Sequence, residues 1–449
     1  MKRQRNKGRV TLAAIAAMCA VVALPGQAHA AGTSAYTFDP GAKTVQGAVA
    51  NADASVLDEG AVYRSTIKPG EKLYYRVKLD ARSNAYVSAV AVPAAGGTVA
   101  YGDGITVSLR DLDDSRCSSE GADFGSTEFP RPISAYAYRT IDKESPTCQK
   151  AGTYDVLIER ESKATSSPAP WDLELRFALE PKLKNGGSMP TEAPENWPSA
   201  SPEAITEAGK KRTGGSGYYE ATSLDSGEWK DTIAPGQTRF YQVPVDWGQQ
   251  IYATAKLSNS PTDSDEFVGN ALSLSLDNPA QGHVDGATLS YSGRPASAAL
   301  DPLPPVAYEN RFDFSTDVNA MRFAGWYYLS VSLSPAVAKS YGKDPILLTL
   351  SVQVKNKAKT SPYEGDAGIF GVTQKDRDMA KNGQSGPQAE KSDTMRLVAA
   401  GGIGAGTVLV LGLGVWTLLA RRRPRSADAV PPGGSGQQPP FGGPPPQNW

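Results

Sequence analysis

Histidine is almost missing from this 449-residue chain, which holds two, and cysteine is scarce, at three. His29 and Cys19 fall in a segment expected to be removed on export. The one remaining histidine cannot supply a two-His or three-His zinc site. A Ser–His–Asp site would have to use His283, in the glycine-flanked stretch Gln281-Gly282-His283-Val284-Asp285-Gly286. An exposed loop histidine is the plainer reading. A P-loop, a GxSxG elbow, a Rossmann glycine pattern and a cysteine cluster are all absent. No catalytic residues and no cofactor are expected, and the chain does not read as an enzyme.

An excess of positive charge is lacking as well. The formal net charge is −1, and the basic clusters sit only at the edges, Lys2 to Arg9 and Arg421 to Arg425. Setting aside those nine Lys/Arg and Asp428 leaves 37 basic against 46 acidic residues, a charge of −9. Nucleic-acid binding needs phosphate neutralisation by Lys and Arg, so nucleic acid is excluded as a partner. Long apolar runs at helical period are missing from 31–396. Low helix content is expected there.

Two membrane-directed segments are present. Residues 1–30 read as a signal peptide: Lys2, Arg3, Arg5, Lys7 and Arg9 form the charged region, and Thr11 to Leu24 the apolar run. Pro25-Gly26 breaks that run before the A-x-A site Ala28-His29-Ala30. Residues 397–420 are 24 residues without charge. As a helix they would extend about 36 Å, enough for a hydrocarbon core of about 30 Å. Arg421, Arg422, Arg423 and Arg425 follow, and the positive-inside rule places them in the cytoplasm. A single-pass plasma-membrane protein is expected, with 31–396 outside and the C-terminus inside. Six glycines lie in the run, with Gly402 and Gly406 at the spacing that lets two helices approach, so a homodimer is conceivable.

Cys117 and Cys148 remain as an even pair in an exported segment and are expected to form one disulfide.

The segment between is a tandem repeat. Thr66-Ile67-Lys68-Pro69-Gly70 through Tyr74-Tyr75-Arg76-Val77 to Asp80 aligns without gaps to Thr232-Ile233-Ala234-Pro235-Gly236 through Phe240-Tyr241-Gln242-Val243 to Asp246. Ala151-Gly152-Thr153-Tyr154 matches Ala324-Gly325-Trp326-Tyr327 further on. Apolar residues alternate after each Pro-Gly turn: Tyr75, Val77 and Leu79, then Tyr241, Val243 and Val245. The same period marks Val107 and Leu109, Tyr154 to Ile158, Leu173 to Leu179, Leu272 to Leu276, Tyr327 to Leu333 and Leu348 to Val354. Many short alternating strands between Gly/Pro turns predict an all-β sandwich or barrel in each copy.

The expected layout is a first repeat over 31–184, a linker at 185–215, a second repeat over 216–356 and a juxtamembrane linker at 357–396. Both linkers are polar and read as flexible. The segment 421–449, with its Pro/Gly-rich end from Pro431, reads as a disordered tail of polyproline II character. Phe441 and Trp449 in that tail offer a docking surface to a cytoplasmic partner.

Among hard-cation ligands the best candidate is Asp111, Asp113 and Asp114, near Glu120 and Asp123, for calcium. The spacing is not that of an EF-hand, and a solvated acidic loop is the plainer reading. Asp263, Asp265 and Glu266 form a comparable loop in the second copy. Tyr74, Tyr75, Phe240, Tyr241, Trp247 and Tyr252 are candidates for a carbohydrate platform, although strand aromatics at period two more often pack inward.

The motif Thr-Ile-x-Pro-Gly-x-x-x-Tyr/Phe-Tyr-x-Val, with the later Ala-Gly-x-Tyr strand, resembles the bacterial pre-peptidase C-terminal domain. That resemblance implies a small jelly-roll β-sandwich, here two in tandem, with a non-catalytic accessory or binding role. The second copy, from Trp229 to Ile233 and through Asp246-Trp247-Gly248-Gln249-Gln250, also looks like a repeat of actinobacterial surface proteins. The expected partners are an envelope protein or a cell-wall polymer. The rival expectations are an accessory carbohydrate-binding module for a wall hydrolase and a passive spacer.

Overall fold

In the computed structural model the described residues are 36–142, 145–184, 192–260, 262, 264 and 266–421, without the side chains of 396–408 and 420. The expected signal peptide and the tail from 422 onward lie outside them.

A Pro-Gly turn recurs at the same place in the two duplicated units, between the third and fourth strands of each. At Lys68–Glu71 and Ala234–Gln237 the fourth residue's N–H bonds back to the first carbonyl, at 3.1 and 3.0 Å. Gly70 and Gly236 take φ of 71° and 82° at the third position. Proline followed by a left-handed glycine is what a type II turn requires. The fourth side chain closes each turn: Glu71 Oε2 accepts from Lys68 N at 2.7 Å, and Gln237 Oε1 from Ala234 N at 3.0 Å.

Each unit has ten strands among its described residues. The first has β1 Lys43–Thr44, β2 Ser55–Val56, β3 Val62–Ile67, β4 Lys72–Leu79, β5 Ala85–Val92, β6 Gly104–Arg110, β7 Arg116–Asp123, β8 Ile133–Arg139, β9 Gly152–Glu161 and β10 Trp171–Leu179. The second has β11 Lys210–Lys211, β12 Thr222–Ser223, β13 Gly227–Ile233, β14 Thr238–Val245, β15 Gln250–Leu257, β16 Val268–Asp277, β17 His283–Tyr291, β18 Ala296–Ala299, β19 Gly325–Leu333 and β20 Ile346–Lys355.

The sheet orders are β1-β3-β10-β5-β8 and β2-β4-β9-β6-β7 in the first unit, then β11-β13-β20-β15-β18 and β12-β14-β19-β16-β17 in the second. Element by element the two orders are the same. The eight longer strands of each unit pass between two facing sheets in the sequence of a double-sheet jelly roll. The chain thus folds as two tandem β-sandwiches.

Period two explains the cores. Leu73, Tyr75, Val77 and Leu79 face inward on β4, with Tyr154, Val156 and Ile158 beside them on β9. In the second unit Tyr241, Val243 and Val245 meet Tyr327, Leu329 and Val331. Each sandwich also carries a tyrosine that ties its strand to the chain entering it. Tyr154 donates to the Lys150 carbonyl at 2.7 Å, and Tyr327 to the Phe323 carbonyl at 2.8 Å.

Neither expected linker is a free tether over its described residues. Leu183 bridges to Tyr363, with Lys184 N donating to the Pro362 carbonyl and Glu364 N to the Lys182 carbonyl, at 2.9 and 2.8 Å. Tyr363 and Phe370 are buried. The helix Gln374–Asn382 carries a capping box between Thr373 and Asp376, and ends on Gly383 in the left-handed region. From the other linker, the Pro198 and Glu203 carbonyls accept bonds from Gln250 and Gln353, and β11 joins the second sandwich. Polar composition gave these segments no core of their own, but their backbone groups and two aromatics are satisfied by the sandwiches.

The described residues from 388 to 421 form a separate unit. The helix Gly386–Arg421 runs through the uncharged stretch. Among the described residues no helix is long and apolar enough to cross a membrane. The spanning reading therefore rests on the sequence.

Candidate functional site

The acidic candidates do not assemble. Asp111 Oδ1 accepts the backbone N–H groups of Asp113 and Ser115 at 3.0 and 2.9 Å, closing its own turn. Asp114 Oδ1 pairs with Arg110 at 2.9 Å, and its side chain is largely exposed. Among the described residues no group of three or more His, Cys, Asp or Glu side chains converges as a metal set. Asp263 and Asp265 lie outside the described residues; Glu266 accepts a bond from the Ser340 hydroxyl. Cys117 and Cys148 are joined in a disulfide with Cα atoms 5.7 Å apart. Arg421 ends the C-terminal helix, Arg422, Arg423 and Arg425 lie beyond the described residues, and Gly402 and Gly406 fall within that helix.

Four of the six candidate platform aromatics pack inward, as period two favours. Tyr75, Phe240, Tyr241 and Trp247 are buried, while Tyr74 and Tyr252 are only half-buried. Side chains that complete a hydrophobic interior cannot also stack on a sugar.

What the structure does bring together was invisible in the sequence. At the junction of the sandwiches Arg311 grips Glu180 through two bonds, Nη1 to Oε2 at 2.9 Å and Nη2 to Oε1 at 2.7 Å. Both side chains are almost fully buried, at 1% and 2% exposed. Asn84 Nδ2 at 2.7 Å, Tyr86 at 2.9 Å and the Tyr363 hydroxyl also donate to this carboxylate. Burial alone would raise the Glu180 pKa, but the Arg311 charge and these donors outweigh it and hold it below the usual range. Beside the pair, Tyr86 meets Phe323 edge-on at 4.8 Å, and Phe370 lies 4.8 Å from Phe323. Gly282 is pressed against Tyr136, where an added Cβ would sit 2.3 Å from the ring.

Two hollows open between the sandwiches and share Arg131 and Pro132 in their walls. The larger, about 930 Å³, is lined by Tyr36, Phe38, Arg64 and several prolines. The smaller, about 360 Å³, runs along β16 and β17 under the 127–134 segment of the first sandwich. Arg131 stacks near Phe124 and Phe129, at 5.1 and 5.3 Å, and donates to the Thr127 carbonyl at 2.8 Å. Burial pushes its pKa down to about 10.

His283 stands in the smaller hollow as the first residue of β17, half-exposed, with Nδ1 3.5 Å from Asp277 Oδ1. Ser275 Oγ lies 3.2 Å from that same nitrogen. Burial lowers its pKa, but the hydrogen bond and charge of Asp277 prevail and raise it. A Ser–His–Asp relay needs the serine on one ring nitrogen and the carboxylate on the other. Here both neighbours meet Nδ1, so this trio is not arranged as a charge relay. Asp277 Oδ2 in turn accepts the Tyr218 hydroxyl at 2.6 Å.

No known family's model matches the chain, and no curated protein matches it. The tandem CBM22-1–CBM22-2 domains of Paenibacillus barcinonensis Xyn10C are 13% identical, covering 67% of this chain and 92% of that one, with a TM-score of 0.19. The CUB1-EGF-CUB2 domain of human MASP-1/3 is 8% identical over 65% of this chain and 99% of its own, with a TM-score of 0.15. A putative secreted protein from Parabacteroides distasonis is 8% identical over 67% and 91%, at 0.17. Likenesses this low assign neither a family nor a role.

Proposed function

We propose that this chain is a non-catalytic binding protein of an actinobacterial cell surface, anchored by 397–420, whose paired sandwiches contact an envelope protein or a wall polymer. The observation that carries the reading is the junction: a buried, multiply hydrogen-bonded Glu180–Arg311 pair makes two sandwiches into one unit and leaves two hollows open between them. A rigid spacer would also use a built junction, so it is the two hollows beside the pair that favour binding. The signal sequence, the uncharged run and the arginines after it support an outward-facing head and a cytoplasmic tail. The pre-peptidase C-terminal resemblance agrees with an accessory role.

Crosslinking the full-length protein in its native membrane tests this reading. A specific envelope protein or polymer should co-purify, and should still do so with a variant ending at Arg425. If nothing specific is captured, the binding reading falls and the spacer stands.

A further inference from the structure

Strand β16 reads Leu272-Ser-Leu-Ser-Leu-Asp277, and β19 carries Tyr328, Ser330 and Ser332 between its inward residues. On both strands the leucines and valine are core, so the intervening side chains share the outer face. Register then sets them side by side. Ser273 lies between Thr288 and Ser332, and Ser275 between Gly286 and Ser330. Asp277 lies between His283 and Tyr328. Of these, Ser273, Ser275, Thr288 and Ser330 make an array of hydroxyls ending in the imidazole–carboxylate pair of His283 and Asp277, on the wall of the 360 Å³ hollow.

The opposite wall comes from the first sandwich. Thr127, Arg131 and Ser134 face the array, held there because Asn270 Nδ2 donates to the Ser126 carbonyl at 2.8 Å and the Ser134 hydroxyl to the Gln281 carbonyl. Most polar groups of the site are already spent: Thr127 on the Phe124 carbonyl, Ser134 on Gln281, Asp277 on Tyr218. The Ser273 and Ser330 hydroxyls, among the described residues, hydrogen-bond to no protein group. Ser273 is only 9% exposed. A nearly buried hydroxyl without a protein partner, opening into a polar hollow, is a group waiting for a ligand or water to complete it.

Hydroxyls both donate and accept, and an array of them matches a ligand that does the same on successive carbons. The volume is at the lower end for a small-molecule site, about 300–1,000 Å³. We propose that the hollow between β16, β17 and the 127–134 segment binds a short stretch of neutral glycan, with Ser273, Ser275 and Ser330 bonding its hydroxyls and His283 capping one end. This rests on the binding role proposed above and names the class of wall polymer it would contact.

The test uses full-length protein in detergent and three neutral probes: chitotetraose, cellotetraose and mannotetraose. Affinity is read by calorimetry, beside the double variant Ser273→Val/Ser330→Val. Valine suits strand positions, so this variant should fold; a thermal melt checks that. Thr66→Val, on an exposed position of β3, serves as the control. The expected result is binding of at least one probe that weakens tenfold or more in the double variant and not in the control. No binding of any probe tighter than about 1 mM overturns the proposal, as does binding the double variant keeps. Capture of an envelope protein in the crosslinking experiment without any glycan affinity would leave the binding role standing and remove this site alone.

Discussion

The same connection is used differently in the two sandwiches. In the first, the stretch between β8 and β9 carries Cys148 and is stapled to Cys117 on the edge strand β7. In the second, the stretch between β18 and β19 contains a short helix, Thr316–Ala320, and supplies Arg311 and Phe323 to the junction. One copy spends its loop on its own stability, and the other spends it on holding its neighbour. The buried tyrosines diverge in the same way. Tyr75 donates to Ser65 Oγ at 2.8 Å, whereas Tyr241, at the aligned position, donates to Asp231 Oδ2 at 2.8 Å. Asp231 also accepts Gly214 N at 2.9 Å, which fixes the incoming linker. Duplication kept the sheet skeleton and redistributed the ties: covalent and internal in the first copy, polar and outward-reaching in the second.

The largest break in this comparison should come from the junction. Glu180→Ala leaves Arg311 buried without its partner and should cost about 3–5 kcal/mol, read from urea unfolding of the full chain. If the loss is under about 1 kcal/mol, the pair does not join the sandwiches. The same carboxylate sets an acid response. Its folded pKa lies below the unfolded value of about 4.3, so its contribution is complete above that pH and is lost as pH falls through the folded value. Glu180→Gln should therefore flatten the acid limb of a stability–pH curve. An unchanged limb would show that other carboxylates set it.

Next in size is the staple. A disulfide spanning a sequence separation of 31 should contribute about 3–4 kcal/mol through loop closure. The pair of substitutions Cys117→Ala and Cys148→Ala should lower the first sandwich by that amount. Hydrogen exchange resolved along the chain should show β6 to β9 loosening while β16 to β19 hold; equal loosening in both would mean that the sandwiches unfold as one.

The smallest effect sharpens the tyrosine comparison. Asp231→Ala strips a buried hydroxyl and a backbone N–H of their acceptor and should cost about 1–3 kcal/mol. Ser65→Ala removes one neutral partner and should cost about 0.5–1.5 kcal/mol. Equal losses in thermal melts would show that the carboxylate adds nothing to the second copy.

Much of the fold was legible because it is local and duplicated. Alternation placed Tyr75, Val77, Leu173 and Leu348 in strands, and the Pro69-Gly70 and Pro235-Gly236 pairs gave the turns. The even cysteine pair gave its one bond. Period two also marked Tyr75, Phe240 and Tyr241 as interior rather than a sugar platform, and they are buried. The polar 357–387 stretch hid Tyr363 and Phe370, because two buried aromatics leave no periodic trace among polar neighbours. Glu180 and Arg311 are 131 residues apart, and nothing in either one's surroundings announces the other.

The sequence by itself determined which residues form strands, where the turns fall, that the unit occurs twice and that two cysteines pair. Each of these follows from backbone sterics, side-chain alternation or composition within a short window. Only the tertiary structure decided how the two units face one another, which carboxylate is buried against which guanidinium, and that Ser273, Ser275 and Ser330 share a wall. Those outcomes depend on register between strands distant in the chain and on desolvating one unit against the other, and no short window of sequence contains either.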